Sequence, residues 1–212
     1  MGKIKDHYFK EINSDDDGYD KYLEEIEIAR VEAEYHVMSA YEDIVKERLD
    51  GVPHDDKALL EMVAFHNIEF HDAIWHASTN ILPALEVQVV IDAKNDCYVS
   101  SGSSGFVDFG SVPKGMKMPV RCWIHTHPFG SAYFSGTDIS TVSIWQPLME
   151  TAYVLGGKGH YGFWENDKPK QLDIYVNHEL ERTQTWNQYG NEEEWICIIK
   201  ENKRKENMEK SL

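Results

Sequence analysis

Apolar residues recur at spacings of three and four through the first part of the chain. Over residues 19–45 they alternate with charged residues in this helical period, which predicts one long amphipathic helix. The sequence Asp50-Gly51 and the nearby Pro53 predict its end. We therefore expect an N-terminal helical extension over residues 1–55. It would pack on the following domain, bind a partner, or pair with a second copy of itself.

A second helical pattern covers residues 56–77. Its predicted buried positions are Leu59, Leu60, Val63, Ala64, Ile68 and either Ile74 or Trp75. His66, His71 and His76 lie in the same segment, but a spacing of five carries side chains around a helix instead of along one face. We interpret these histidines as polar or interface residues, not as one metal-binding group.

The period then changes to that of short strands rich in β-branched and aromatic residues. Predicted strands cover residues 85–91, 97–100, 106–109, 120–124, 151–155, 161–164 and 172–176. A Ser/Gly loop follows the second strand, a helix covers residues 138–148, and a Gly-rich hairpin covers residues 156–159. The order of helix, strands, helix and strands predicts an α/β sandwich with a mixed sheet.

The last segment, residues 179–212, is predicted to be a helical tail. Residues 195–199 hold four apolar side chains, enough for a docking helix, and the charged sequence beyond them predicts a solvated end. The chain therefore divides into an extension, a main domain over residues 56–178, and this tail.

Composition favours a globular protein and excludes some partners. Of 212 residues, 42% are hydrophobic and 12% aromatic, and the net charge of −16 argues against a nucleic-acid or anionic-membrane surface. No apolar run reaches membrane-spanning length, and the N-terminus leads into charges, unlike a signal peptide. Three separated cysteines, Cys97, Cys122 and Cys197, predict reduced thiols in a cytoplasmic compartment.

An acidic segment before the first helix has two interpretations. Residues 13–24 place oxygen-bearing side chains at the first, third, fifth and twelfth positions and glycine at the sixth, as a calcium-binding EF-hand loop does. These residues are Asn13, Asp15, Asp17, Glu24 and Gly18. Asn at the first position and the lack of a second loop count against calcium. The alternative is an acidic helix N-terminus stabilised by the helix dipole.

Two histidines one residue apart, His125 and His127, directly follow the predicted strand at residues 120–124. Because strand side chains repeat with period two, both point to the same side, as two ligands of one metal must. Pro128 stops the strand, and Asp138 can return from the next helix start with an oxygen ligand. Two imidazoles and one carboxylate, with a position left for water, form the ligand set of a catalytic zinc.

The full arrangement is His125-x-His127-Pro128, six residues, Ser135, two residues and Asp138. It matches without a gap the motif of the JAMM (MPN+/JAB) metallopeptidases, and residues 56–178 resemble that family. Residues 86–96 resemble the corresponding strand of its RadC-like branch. The resemblance implies an MPN/JAB-like (cytidine-deaminase-like) α/β sandwich with a mixed central sheet. It also implies one zinc ion and hydrolysis of a peptide or isopeptide bond, for example removal of a ubiquitin-like modifier or of a protein tail.

The resemblance also implies roles for residues that are not metal ligands. Glu86 begins a predicted strand after the helix pattern at 56–77, where the family has its upstream glutamate. It would accept a proton from the water and later deliver it to the leaving amine; Glu61 and Glu69 are the alternatives. Ser135 would donate a hydrogen bond to the oxyanion. Ser-x-x-Asp is also a helix-capping pattern, and both residues could serve only that purpose.

Three functions remain open at this point. A zinc peptidase would bind its protein or peptide substrate as an extended strand at an exposed sheet edge. A non-catalytic scaffold of the same fold would use the N-terminal helix as its partner surface, although the complete motif argues against it. A RadC-like protein, whose branch is linked by name to DNA repair, is the third. The acidic charge and the lack of a basic stripe count against DNA binding.

Overall fold

The computed structural model describes residues 16–49, 64–105, 113–186 and 195–198. Its helices are α1 (Asp16–Leu49), α2 (Ile68–His76) and α3 (Gly136–Trp145), with a π-helical turn at Ala77–Ile81 and a 3-10 turn at Gln146–Leu148. Its strands are β1 (Val87–Ile91), β2 (Cys97–Ser101), β3 (Val120–Thr126), β4 (Met149–Gly157), β5 (His160–Glu165), β6 (Gln171–Val176), β7 (Glu179–Trp186) and β8 (Trp195–Ile198).

The strands form one mixed sheet in the order β2-β1-β3-β4-β5-β6-β7-β8. Strands β3 and β4 are parallel, and α3 lies in the connection between them. The other neighbouring pairs are antiparallel. The predicted α/β class and the mixed sheet are therefore confirmed.

Both faces of the central strands are buried, by two separate apolar clusters. One face packs against α1 and α2, and its cluster includes Val37, Phe70 and Ile124. The other face packs against α3, and its cluster includes Trp123 and Ile139. Cys122, Trp123 and Ile124 alternate between the two clusters, as strand geometry requires. This explains why the middle of β3 is a continuous apolar run.

The long N-terminal helix is confirmed, since α1 spans 34 residues. Ala33, Val37 and Tyr41 recur every four residues on its buried face, as the period predicts. The same helix contradicts the calcium loop. Its residues 16–24 are helical, whereas an EF-hand loop needs a sharp turn at the glycine, here Gly18. Residues 13–15 lie outside the described part of the chain.

The helix predicted over residues 56–77 is confirmed at Ile68–His76, where α2 lies, but residues 65–67 interrupt it. Asn67 ends the preceding turn, and its side chain accepts a hydrogen bond from Glu69 N–H at 2.7 Å, so a new helix begins at Ile68. Ile68 is 46% exposed, while Phe70 takes the buried position that the pattern gave to Ile68. The described residues do not include 50–63, where the first part of this prediction falls.

The prediction of a helical tail over residues 179–212 is wrong where the structure describes it. Strands β7 and β8 extend the sheet by antiparallel pairing instead. Asn177 and His178 have φ of 51° and 62°, the left-handed conformation of a tight hairpin turn after β6. The short run at 195–198 is rich in β-branched and aromatic residues, which favours a strand over a helix. The predicted strand at 106–109 lies outside the described residues, and the three domain boundaries stay predictions.

Candidate metal centre

The end of β3 and the start of α3 bring three ligand side chains together. One ligand atom each from His125, His127 and Asp138 lies within 4.8 Å of the others. His125 Nε2 is 3.0 Å from Asp138 Oδ1, and His127 Nε2 is 3.5 Å from Asp138 Oδ2. Within the residues that the structure describes, this is the one group of three such side chains that could hold a metal ion.

Local geometry explains this convergence. His125 and His127 extend from the same face of β3, and their ring centroids are 5.1 Å apart. The backbone N–H of His127 donates to Leu155 O in the neighbouring strand β4 at 2.8 Å, which holds the chain just past the end of β3. The following loop then returns to the N-terminus of α3, where Asp138 stands in the first turn.

The buried His125 ring gives the clearest indication that this group could hold a cation. Neither of its nitrogens has a hydrogen-bond partner within the described residues. Its Nε2 lies 3.0 Å from Asp138 Oδ1 but does not meet hydrogen-bond geometry with it. Two ligands about 2.0–2.2 Å from one tetrahedral ion lie roughly 3.3–3.5 Å apart, close to the separations seen here. The donor set and its spacing thus fit a metal ion.

The three groups also have suitable charges. Burial lowers the pKa of His125, so the ring is in the neutral form that binds metals. Burial opposes ionisation of Asp138, but the close approach of the two histidine rings and the interaction with Ser135 outweigh it and hold its pKa well below the usual range. Asp138 is thus an ionised oxygen ligand at neutral pH.

His127 has the opposite shift. Burial disfavours its protonation, but the carboxylates of Asp138 and Glu86 and a hydrogen bond to the Ser131 backbone raise its pKa overall. A metal ion would take the proton's place beside these carboxylates. The bond to Ser131 fixes the ring orientation, as metal-binding histidines commonly require.

A support for His125 was not predicted from the sequence. The Trp123 ring stacks on it with centroids 4.4 Å apart, and the indole N–H donates to Gln88 Oε1 at 2.9 Å. Gln88 lies directly opposite His125 in the β1–β3 pairing. The sequence does place both residues on the ligand face. Trp123 is two residues from His125 in one strand, and Gln88 is two residues from Glu86 in the other.

Glu86 lies directly before β1 and is 6% exposed. The β1–β3 register pairs Gln88 with His125, so continuing it by two residues places Glu86 opposite His127, on the face of the three ligands. Its carboxylate is close enough to raise the pKa of His127. The alternative Glu69 belongs to α2, which packs on the opposite face, and Glu61 lies outside the described residues.

Ser135 is the N-cap of α3 and forms a capping box with Asp138. Asp138 N–H donates to Ser135 Oγ at 3.2 Å, and Ser135 N–H donates to Asp138 Oδ2 at 2.6 Å. The capping interpretation is therefore confirmed. A hydroxyl that accepts this bond still has its own hydrogen to donate, so the cap leaves the predicted donor role open.

The loop between His127 and Ser135 carries two exposed aromatic side chains beside the ligands. Phe129 is 64% exposed and Tyr133 45%, and the Tyr133 ring centroid is 5.2 Å from that of His127. The loop lies directly on β4, where a Cβ added to Gly156 would come within 2.2 Å of Ala132 N. Glycine is therefore required for this close approach.

His66, His71 and His76, interpreted from the sequence as polar or interface residues, have hydrogen-bonding or packing partners. His66 Nδ1 is 2.5 Å from the Tyr153 hydroxyl, and His71 Nε2 donates to Phe65 O at 2.9 Å. The ring of His76 packs on that of His36. These are packing and hydrogen-bonding roles.

Comparison of the chain with protein-family models, with curated proteins and with solved structures found no significant match. The described helices also include none that is long and apolar enough to cross a membrane. Functional inference therefore rests on the site itself.

Proposed function

We propose that the chain is a zinc-dependent metallopeptidase of the JAMM (MPN+/JAB) type, which hydrolyses a peptide or isopeptide bond. The observation that carries the proposal is the buried His125 ring, whose unpartnered nitrogens lie beside Asp138 and His127. A buried polar atom without a partner is costly, and a cation shared by the three side chains removes that cost.

The donor chemistry favours zinc. Imidazole nitrogens together with one carboxylate are a common zinc ligand set, and three protein ligands are typical of catalytic sites, whereas structural sites use four. His125, His127 and Asp138 would hold the ion, which when bound would lower the pKa of a water toward neutrality.

Glu86 is the proposed general base. It lies on the ligand face beside His127, where its carboxylate would take one proton from the attacking water. The water oxygen adds to the substrate carbonyl carbon. The carbon–nitrogen bond then breaks, and Glu86 returns the proton to the leaving amine nitrogen.

Ser135 is the proposed oxyanion donor. Its hydroxyl accepts from Asp138 N–H, which orients the oxygen, and its hydrogen would donate to the negative oxygen of the tetrahedral intermediate. The exposed rings of Phe129 and Tyr133 flank this region. We infer that they contact an extended protein or peptide substrate.

The test combines metal analysis with hydrolysis. Purified zinc-loaded protein would be incubated with a panel of modifier fusions and tail peptides. We expect Glu86→Gln to bind zinc with a stoichiometry near that of the wild type but to lose hydrolysis, and His127→Ala to lose both. His76→Ala is the matched control, because His76 lies outside the metal group. Hydrolysis that persists in Glu86→Gln would exclude this residue as the base.

A further inference from the structure

Two fully buried hydroxyl groups lie behind the strand end that carries Glu86. They belong to Ser78, in the π-helical turn, and to Thr126, the last residue of β3. Val87 N–H donates to Thr126 Oγ1 at 2.9 Å, and this hydroxyl donates to Ser78 Oγ at 2.8 Å. Ser78 in turn donates to Leu85 O at 2.6 Å. Because each hydroxyl has one hydrogen, this relay runs in one direction between the two neighbours of Glu86.

The backbone of Glu86 itself is held from the other side. Its N–H donates to Ser103 O at 2.8 Å, and its carbonyl accepts from Gly102 N–H at 2.9 Å. The relay and this pair of bonds together fix the backbone before, at and after the glutamate. Its side chain is thereby held on the face opposite the relay, where His127 lies.

The relay has features that ordinary core packing does not explain. A buried pair of hydrogen-bonded groups adds little stability over two apolar groups of the same shape, yet two hydroxyls stand together here, next in sequence to Ala77 and Val87 or in contact with them. Ser78 reaches Leu85 because the chain widens locally into a π-helical turn, in which Leu82 N–H donates to Ala77 O at 2.9 Å. Such turns occur frequently at functional sites.

We propose that Ser78 and Thr126 are positioning residues for Glu86. They restrain the backbone on both sides of the glutamate, so that its carboxylate stays at the metal centre. The catalytic consequence rests on the proposed function, whereas the backbone restraint can be measured without any substrate.

The decisive comparison is between two variants of Thr126. Thr126→Val keeps the side-chain volume and removes the hydroxyl, whereas Thr126→Ser removes a methyl group and keeps the hydroxyl. We expect Thr126→Val to lower kcat by about 10- to 100-fold through misplacement of the base, with KM and zinc content near those of the wild type. Thr126→Ser restores most of the loss. Ser78→Ala repeats the test should Thr126→Val not fold.

Two further measurements separate positioning from stability. Hydrogen exchange at the Val87 amide should accelerate about fivefold to tenfold in Thr126→Val, because its acceptor is lost, but not in Thr126→Ser. Thr151→Val is the matched control. It removes a hydroxyl bond of 2.7 Å to Arg121 O in the neighbouring strand, so it should lower stability and leave kcat unchanged.

Each outcome decides the proposal. Equal kcat losses in Thr126→Val and Thr126→Ser would mean that packing matters and the hydroxyl does not, which overturns it. A loss in Thr126→Val no larger than that in Thr151→Val would do the same. If the wild type hydrolyses no substrate, the proposed function fails, and Val87 exchange alone then decides whether the relay restrains the backbone.

Discussion

Substitutions of Ser135 can distinguish its role as the N-cap of α3 from its proposed role as a catalytic hydrogen-bond donor. Its Oγ accepts the bond from Asp138 N–H at 3.2 Å, whereas the reciprocal bond uses the Ser135 backbone N–H, which alanine and glycine both retain. Ser135→Ala should therefore destabilise the zinc-free protein by about 1 kcal/mol. Ser135→Gly should do so by only a few tenths, since glycine is tolerated at N-caps.

The catalytic effect should not follow that difference. Loss of one oxyanion donor typically lowers kcat by about 10²- to 10³-fold, or roughly 3–4 kcal/mol. We expect a loss of this size in both Ser135→Ala and Ser135→Gly. A cap worth about 1 kcal/mol is too small to explain it, because a tenfold rate change already requires about 1.4 kcal/mol.

The assay is chemical denaturation of the zinc-free variants together with single-turnover hydrolysis by the zinc-loaded ones. Asn67→Ala is the matched control, because Asn67 caps α2 on the opposite face through a bond of 2.7 Å to Glu69 N–H. It should lose about as much stability as Ser135→Ala and keep its kcat. If Ser135→Gly keeps kcat within a factor of about three, Ser135 is a cap only and the donor role is wrong.

Other predictions concern the metal, the loop and pH. Zinc at about 100 times its Kd should stabilise the fold by about 2.7 kcal/mol, seen as a chelator-sensitive rise in Tm that His127→Ala lacks. Gly156→Ala should lower the free energy of unfolding by about 1–3 kcal/mol and weaken zinc binding, because the added Cβ would lie 2.2 Å from Ala132 N. Gly157→Ala should do neither, because its added Cβ would be 3.5 Å from the nearest atom. Burial lowers the pKa of His71 to about 4 from 6.5. Between these two pH values the His71 ring is therefore protonated in the unfolded chain and neutral in the folded chain. The contribution of His71 to stability should therefore be full above pH 6.5 and fall by about 3 kcal/mol as pH drops toward 4. In unfolding curves measured over a pH series, His71→Phe should flatten this dependence. An unchanged slope would show that His71 is not the cause.

The parts of the site that the sequence predicts are those set by local geometry. His125 and His127 share a face because of the strand period alone, and Ser135 and Asp138 are joined within one helical turn. The contact of Trp123 with Gln88 depends on the register between β1 and β3. The strand period places both residues on the ligand face, but no local pattern specifies the register, so their contact was missed.

The errors in the fold have similar causes. The helix pattern over residues 56–77 has apolar residues at helical spacing, but the N-cap at Asn67 starts a new helix and changes which residues are buried. Strand β7 has many charged residues and weak alternation, and it forms because the Asn177-His178 turn pairs it with β6. In both cases a turn or cap determines the structure more strongly than the apolar period does.

Asp138 ties the chemistry of the site to the fold. One of its oxygens lies beside His125, and the other accepts the N–H of Ser135 at 2.6 Å. The bond that fixes the start of α3 therefore also orients the carboxylate toward the histidines. Because α3 packs on the same sheet face through Ile139 and Val142, the position of this ligand depends on helix packing as well as on the strand that carries His125. A substitution that shifts α3 should therefore weaken metal binding even where it changes no ligand.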